Sequence, residues 1–324
     1  MTTTTPPDPG HSRLLLLDTA SLYFRAYFGV PDSITAPDGT PVNAVRGLLD
    51  FIARLAGDYR PTHIVCCWDN DWRPQWRVDL VPSYKGHRVE QVVPGDAPDV
   101  EEVPDPLQVQ IPVILAVLEA LGIAVVGADE AEADDVIGTL ATEAGMPVDI
   151  VTGDRDLFQL VDDDAQVRVL YTARGVGKHE RVTDAVVLSK YGVHANQYAD
   201  FATMRGDASD GLPGVAGVGD KTAASLLSEY GDLARIRAAA ADPAVTMAAG
   251  VRSKLNAAAA YLDVAPEVVA VRRDLELGVE LGDLVVPGSD EEHPLPRAPE
   301  SLVELVDRWG LDSSVQRVLA AFTS

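Results

Sequence analysis

Four short apolar runs, separated by helical patterns, restrict the possible fold more than any other feature of the sequence. The runs are RLLLLD at 13–18, THIVCCWD at 62–69, IAVVG at 123–127 and VDIVTG at 148–153. Runs of this kind are typical of strands buried on both faces of a parallel sheet. A fifth strand is predicted at 166–171, and helices are predicted at 43–59, 108–122 and 132–145. Strands that alternate with helices predict an α/β layer fold.

The pattern changes at about residue 183, after which only helical segments follow. TDAVVLSKYG, HANQYADFATMRG and DKTAASLLSEYG have helical spacing, and Ala-rich stretches continue to residue 260. We therefore expect an α/β core over 13–182, an all-helical region over 183–260 and a C-terminal segment, 261–324, that packs on the core. Irregular structure is predicted for a disordered polar tail, 1–12, and for the proline-rich stretches 94–106 and 283–300.

The composition is that of a soluble protein, but its charge is unusual. There are 26 basic and 50 acidic residues, a formal net charge of −24. Such a balance argues against a nucleic acid partner, unless the acids are clustered to hold cations. There is no apolar run near 18 residues and no secretory signal pattern, so no membrane contact is expected. Cys66 and Cys67 are adjacent, which disfavours a disulfide and suits a reducing cytoplasm.

Acidic residues follow the predicted strands at the edge where a site is expected. In an open α/β sheet, ligands bind outside the carboxyl ends of the strands. Carboxylates that converge there repel each other unless cations compensate them, and oxygen ligands favour Mg²⁺ or Mn²⁺. Two such ions form the usual arrangement for phosphodiester hydrolysis. The acids that would hold two or more ions are Asp18, Asp69, Glu132, Asp134, Asp135, Asp154, Asp156, Asp207 and Asp210.

Each acidic pair taken alone has an ordinary structural explanation. An Asp-x-Asp after a strand, such as Asp154 and Asp156, is often a turn in which carboxylates accept backbone N–H groups. Acids in the first turn of a helix, such as Asp134, favour its dipole. The metal hypothesis gains weight because five clusters occur at corresponding places.

A glycine-rich turn supplies a second functional signal, in GLPGVAGVGDKTAASLL at 211–227. Backbone N–H groups at the N-terminus of the helix predicted from about Asp220 could bind phosphate oxygens of duplex DNA without reading its sequence. An ordinary helix–helix turn is the alternative. The candidate DNA-binding residues are Gly214, Gly217, Gly219, Lys221 and Thr222.

A third signal is the segment WDNDWRPQWRVDLVPSYKGHR at 68–88, where cations and aromatic residues alternate. Cations follow a phosphate backbone and aromatic rings stack on unpaired bases. The alternative is that Trp72 and Trp76 fill the core while the arginines are merely solvated.

These stretches together closely resemble the bacterial 5′-nuclease, or flap endonuclease, family, which includes the nuclease domain of DNA polymerase I. The resemblance rests on TGDRDLFQLV, EAEADDVIG, GDASDGLPGVAGVGDKTA and VPSYKGHR and covers residues 13 to 280 in matching order. It implies a PIN-like α/β nuclease core, a helical arch at about 72–106 through which a 5′ strand threads, and a helix–three-turn–helix element for duplex binding.

The resemblance also assigns roles to individual residues. It implies that the nine acids named above bind metal, that Arg77, Lys85 and Arg88 are the arch bases, and that Tyr84 stacks on the substrate. It implies a potassium site at 214–219. There are three departures from the family pattern: YKGHR leaves the role of His87 open, ASDGLPG places Gly211 in a turn that should tolerate it, and the first strand ends in LDT. None removes a metal acid.

The leading hypothesis is a monomeric, structure-specific 5′ nuclease that cleaves DNA at a 5′ flap or 5′ end during replication and repair. A non-catalytic module for branched DNA and an RNA-degrading PIN-type nuclease are the rivals. The start TTTTPPDPG mildly favours an independent gene product over an excised polymerase domain, and both stay open. The ratio of exonuclease to endonuclease activity, the preferred ion and the number of ions are also open.

Overall fold

The computed structural model describes residues 12–93 and 99–323, so the predictions for residues 1–11 and 94–98 lie outside it. The strands are Leu14–Asp18 (β1), His63–Cys67 (β2), Val89–Gln91 (β3), Val100–Glu101 (β4), Ala124–Val126 (β5), Val148–Thr152 (β6), Val167–Tyr171 (β7) and Glu180–Val182 (β8). The main sheet has the order β5-β2-β1-β6-β7-β8, and only β7 and β8 pair antiparallel. The five predicted strands and the parallel sheet are confirmed.

The helices follow the strands as an α/β alternation requires. Those of the core are Thr19–Gly29 (α1), Asn43–Tyr59 (α2), Gln75–Leu80 (α3), Asp105–Gln108 (α4), Ile111–Leu121 (α5) and Ala133–Glu143 (α6). Helix α2 has the predicted bounds. The helix predicted at 108–122 begins at Ile111 instead, with Pro112 in its first turn, where the missing N–H costs nothing.

Strand β1 explains why helices cover both faces of the sheet. Its four leucines are fully buried. Since side chains alternate along a strand, Leu14 and Leu16 pack into the core beneath α6, whereas Leu15 and Leu17 pack into the core beneath α2 and α5. A central strand without a polar face must be covered twice. The sheet therefore presents only its carboxyl edge for a site.

The described region after β8 consists of helices and the loops between them. Its helices are Asp184–Tyr191 (α7), Tyr198–Arg205 (α8), Asp220–Tyr230 (α9), Leu233–Ala241 (α10), Ala249–Ala257 (α11), Ala259–Val269 (α12), Pro299–Trp309 (α13) and Asp312–Phe322 (α14). Helix α12 packs on α8 and α3, which ties the helical region to the segment after β2. Helices α13 and α14 pack on α5 and α2.

The expected arch segment, 72–106, is only partly helical. It contains α3, a 3₁₀ turn at Gly86–Arg88, a two-stranded antiparallel ribbon of β3 and β4, and the start of α4. The ribbon corrects the expectation of an extended acidic loop for residues 100 and 101. Over residues 12–93 and 99–323, none of the helices is both long and apolar enough to cross a membrane.

Candidate active site

The acids meet at the carboxyl edge of the sheet because the strands that carry them are neighbours. Strand β1 lies between β2 and β6, so Asp18 at its end stands between Asp69, two residues after β2, and Asp154, two residues after β6. Asp18 caps helix α1 by accepting the Ser21 N–H at 3.1 Å and also accepts the Thr152 hydroxyl at 2.6 Å. The central carboxylate is thus fixed by two elements at once.

These acids line one open cavity of 650 Å³. Six of the nine predicted metal acids contribute to its lining, together with the cations Lys85, Arg88 and Arg155 and the rings of Phe24, Trp72, Tyr171 and Tyr191. The acids of the lining are Asp18, Asp69, Glu132, Asp134, Asp154 and Asp207. The structure thus brings six of the nine acids to one basin although Asp18 and Asp207 are far apart in the sequence, and metal binding by them stays a prediction.

Several of these carboxylates lie close together without enough positive charge or hydrogen bonds to offset their repulsion and burial. Burial, followed by the charges of Asp69 and Asp154, raises the pKa of Asp18 to about 7. Burial and the charges of Asp18, Asp154 and Glu132 raise the pKa of Asp134 well above its usual range. Asp134 accepts no hydrogen bond from the residues that the structure describes. An anion cluster of this kind favours bound cations.

Asp156 and Asp210 extend the same crowding beneath the cavity. Burial and the charges of Asp154, Asp210 and Asp207 raise the pKa of Asp156 well above normal, and its buried Oδ1 has no hydrogen-bond partner. Burial, opposed by Lys85, raises the pKa of Asp210 to about 6. A buried carboxylate oxygen without a donor is a costly feature unless something else binds it.

Two predicted metal acids are instead held by arginine. Arg77 donates to Glu132 Oε1 at 2.9 Å and to both oxygens of Asp135, at 2.8 and 2.7 Å. Asp135 is 0% exposed and also accepts the Arg272 N–H at 2.9 Å. Metal binding by Asp135 is therefore a wrong prediction in this geometry, because its oxygens are already saturated and sealed from the cavity. Glu132 lines the cavity but is likewise engaged.

The role expected for two arch residues is corrected for the same reason. Arg77 is only 3% exposed, so it is a buried ion-pair partner and not a free cation. Tyr84 is 5% exposed, and its hydroxyl donates to Glu132 Oε1 at 2.6 Å. A ring buried in this way offers no face to a DNA base, so stacking by Tyr84 does not fit this conformation.

Lys85 and Arg88 do reach the cavity, as expected. The Lys85 ammonium pairs with Glu132 and lies 3.3 Å from the Trp72 carbonyl. Arg88 donates to the Ser209 carbonyl at 2.9 Å and to Asp210 Oδ1 at 3.2 Å. His87, beside Arg88 in the sequence, lines a neighbouring groove that Phe28 also lines.

The base of the arch segment docks on the acidic turn between α8 and α9. Lys85 N–H donates to the Asp210 carbonyl at 2.9 Å, and the Ser83 hydroxyl donates to the Gly211 carbonyl at 2.7 Å. A Cβ on Gly211 would stand 2.1 Å from the Ser83 carbonyl oxygen, and its φ is +70°. Glycine is thus required at 211, not merely tolerated, because the two loops touch through their backbones.

The remaining acids of the set differ in how far they are compensated. Asp69 accepts the Ala133 N–H at 2.8 Å, while burial raises its pKa. Asp207 is better satisfied: although burial opposes it, hydrogen bonds from Ser209 and the charge of Arg205 hold its pKa below normal.

The donor set fits a hard divalent ion without forming a closed cage. Within the described ranges, no three His, Cys, Asp or Glu side chains are close enough to make a ready ligand set. Mutual repulsion keeps bare carboxylates apart, and Mg²⁺ keeps several waters and needs only one or two carboxylates. The open cavity and the unpartnered Asp156 oxygen are compatible with that type of coordination.

The glycine turn stands at the N-terminus of α9, which begins at Asp220 as predicted. Val215 and Val218 anchor the turn in the core, while Gly217, Gly219 and Lys221 are exposed and Thr222 is half-buried. Gly214 has a φ of +65°, and a Cβ there would meet the Gly206 nitrogen at 2.5 Å. The turn is therefore anchored through its valines, while it presents backbone groups to solvent.

Comparison with known proteins follows the same division of the chain. Residues 13–192 match the family model "5′-3′ exonuclease, N-terminal resolvase-like domain", and residues 193–292 match "5′-3′ exonuclease, C-terminal SAM fold". The chain belongs to the 5′-3′ exonuclease family. The predicted family, its nuclease fold class and the assignment as a 5′ nuclease are thereby confirmed.

Relatives of this exonuclease-family chain include whole proteins and parts of larger ones. A "5′-3′ exonuclease" of Streptomyces coelicolor is 58% identical over 313 residues, 96% of this chain and 100% of that protein. The DNA polymerase I of Mycobacterium bovis is 42% identical over 239 residues, 72% of this chain but 25% of the polymerase. The flap endonuclease of bacteriophage T5, solved with DNA and metal ions, has a TM-score of 0.61 at 17% identity, covering 96% of this chain and 100% of that chain.

Some residues of this 5′-3′ exonuclease-family site were not singled out from the sequence. Thr152 holds Asp18, and Lys254 donates to the Gly217 carbonyl of the glycine turn at 2.8 Å. Arg155 lines the acid cavity. Its position between Asp154 and Asp156 was a usable signal, since a cation between two clustered acids is a candidate site residue. Lys254 gave no such signal, because it lies 37 residues from its partner.

Proposed function

We propose that the protein is a divalent-metal-dependent 5′ flap endonuclease and 5′-3′ exonuclease that hydrolyses DNA phosphodiesters near the junction of a duplex with a 5′ flap or 5′ end. The observation that supports this most is the meeting of Asp18, Asp134 and Asp154, crowded and incompletely compensated, around one open cavity. Structural carboxylates of a stable core are normally paired, whereas these are arranged at a cost that suits a cation site.

The residues that would hold Mg²⁺ or Mn²⁺ are Asp18, Asp69, Asp134 and Asp154 of the cavity lining and Asp156, whose pKa the charges of Asp154, Asp207 and Asp210 raise. Asp207 and Asp210 would complete the set. Two or more bound ions would supply an activated water and would stabilise the charge that develops on the phosphate. Asp135 is excluded from this set, because Arg77 binds its carboxylate. Glu132 would bind a metal ion only if its ion pairs with the arch segment broke.

The protein's own side chains would bind and orient the strand. Lys85 and Arg88 stand at the cavity on the arch side and would hold the scissile phosphate. The N-terminus of α9, with Lys221 and Thr222, would hold the phosphates of the duplex. Both contacts are to the backbone, so cleavage would depend on the shape of the DNA and not on its sequence.

The wider context is also part of the proposal. The related polymerase segment supports a role in DNA replication and repair. The Lys254 ammonium donates to the Gly217 carbonyl, an oxygen that a potassium ion at this turn could otherwise use. Potassium binding at the turn stays a prediction, as do the monomeric state and the cytoplasmic location.

Asp154→Asn tests the proposal, because it removes a cavity charge with little change of shape. With a labelled 5′-flap duplex and Mn²⁺, we expect wild-type cleavage that a chelator stops, and a loss of at least about 10³-fold in the variant. The variant should still bind the flap in the chelator. Asp58→Asn, an exposed acid on α2, is the control and should cleave normally.

Near-normal turnover by Asp154→Asn would refute the proposed site. Binding without cleavage by the wild-type protein would favour a non-catalytic module for branched DNA. Preferential cleavage of a flap whose unpaired strand is RNA would favour the RNA-degrading alternative.

A further inference from the structure

Three cations line the acid cavity, and they differ in what their donors already bind. Lys85 is engaged by Glu132 and the Trp72 carbonyl, and Arg88 by Ser209 and Asp210. Among the described residues, the Arg155 guanidinium makes no hydrogen bond at all. The cavity therefore contains one cation whose directional donors are available.

Asp207, the acid that lies near Arg155, is already bound by other donors. Arg155 Nη2 lies 3.8 Å from Asp207 Oδ2, beyond hydrogen-bond distance. Asp207 is already held by Arg205 Nη2 at 3.0 Å and by the Ser209 N–H at 2.8 Å. A guanidinium that leaves Asp207 would thus not strand a buried unpaired charge. Its side chain is 41% exposed, which leaves the fork accessible from the cavity.

The backbone around Arg155 fixes where the guanidinium can reach. Arg155 lies between strand β6 and the 3₁₀ turn Asp156–Leu160, and its carbonyl accepts the Phe158 N–H at 2.9 Å. The half-buried rings of Tyr171 and Tyr191 line the same cavity. Lys85 and Arg88 come from the arch segment, so Arg155 reaches the cavity from a different element.

We propose that Arg155 binds a non-bridging oxygen of a DNA phosphate held at the acid cavity. A phosphate that enters a basin of carboxylates is repelled unless cations meet it, and a guanidinium fork matches two phosphate oxygens. This inference rests on the proposed function and adds a substrate-binding residue from the sheet side of the site.

Arg155→Gln and Arg155→Lys test the inference, with Arg54→Gln as the matched control. Arg54 is a surface arginine whose side chain is 54% exposed and pairs with Asp58 on α2. Its substitution by Gln removes the same charge as Arg155→Gln. Binding of the 5′-flap duplex is measured with chelator over a range of salt. We expect Arg155→Gln to weaken binding about 10-fold and to reduce the salt slope by roughly 0.7–0.9. Arg155→Lys should restore the slope but only part of the affinity.

Neutral phosphate substitutions locate the contact. Methylphosphonates are placed one at a time at linkages beside the junction. The wild-type protein should lose affinity at one linkage where Arg155→Gln loses none, since the partner is already gone. Equal losses in both proteins at every linkage, or a slope for Arg155→Gln equal to that for Arg54→Gln, would overturn the inference.

The two levels of the proposal fail differently. If the wild-type protein cleaves flap DNA and Arg155→Gln binds and cleaves like it, only the role of Arg155 is wrong. If the wild-type protein does not cleave with Mn²⁺, the proposed function itself is wrong. If Arg155→Gln loses thermal stability together with DNA binding, while Arg54→Gln loses neither, Arg155 has a structural role, and the inference is overturned.

Discussion

Glu132, Asp134 and Asp135 are near neighbours in the sequence, yet the fold treats them in opposite ways. Glu132 and Asp135 accept charged hydrogen bonds from Arg77, and Glu132 also accepts the Tyr84 hydroxyl. Asp134, between them, accepts none from the described residues and faces Asp18 and Asp154 across the cavity. Adjacent helical residues point in different directions, so one motif supplies both ion-paired anchors and a carboxylate without a hydrogen-bond donor.

The difference teaches that an acid-rich motif is not a uniform ligand set. The paired acids hold the base of the arch segment, because Arg77, Tyr84 and Lys85 all come from it. The acids without such partners line the cavity, and burial there disfavours their charged forms. Stability and function are thus divided between side chains only one residue apart.

Arg77→Met tests the paired half and should have the largest effect on stability. It would leave Asp135 buried without its cation and Glu132 with Lys85 as its remaining one. Breaking a buried ion pair from one side costs about 3–5 kcal/mol of unfolding free energy. Denaturant titration would measure it. Arg317→Met, which removes an exposed pair with Asp50, should cost about 1 kcal/mol or less. Equal losses in the two variants would contradict the division.

Asp134→Asn tests the unpaired half and should have the opposite sign. Removal of a carboxylate that burial and Asp18, Asp154 and Glu132 disfavour should stabilise the chelator-treated protein by roughly 1 kcal/mol at pH 8. Thermal melts with chelator would show the gain. Asp135→Asn, one residue along, should instead destabilise, because it loses charged hydrogen bonds from Arg77. Destabilisation by both variants would remove the distinction.

Asp184, a paired carboxylate outside the cavity, should give the smallest effect on the free energy of unfolding, and that effect should depend on pH. Although burial opposes it, hydrogen bonds with the Ala195 N–H and His194 Nδ1, both at 2.7 Å, hold the pKa of Asp184 below normal. Its contribution to stability is present above the unfolded-state pKa and is lost as pH falls below about 4. Asp184→Asn should therefore cost less than about 1 kcal/mol at pH 7, and the difference should shrink in urea titrations at pH 3. A difference that grows in acid would contradict this sign.

The sequence was sufficient where the local pattern and the global fold agree. The leucines of β1, buried on both faces, and the predicted helix at 43–59 follow from apolar periodicity alone. So does the convergence of Asp18, Asp69 and Asp154, since carboxyl ends of neighbouring parallel strands share an edge. The start of α9 at Asp220 followed from the glycine turn.

The sequence was insufficient where partners are distant. Nothing near Arg77 shows that it is sealed against Asp135, 58 residues away. Nothing near Tyr84 shows that its ring is buried, and nothing near Gly211 shows that the Ser83 carbonyl, 128 residues distant, leaves no room there for a Cβ.

The order of apolar and helical segments by itself determined the α/β core, the sheet edge that carries the acids and the chemical type of the site, because these depend on side-chain periodicity. Only the tertiary structure decided which acids are paired with a cationic side chain and which are not. Neutralisation requires an oppositely charged group within a few ångströms, and for Glu132, Asp135 and Asp134 that group is supplied or withheld by segments far away in the chain.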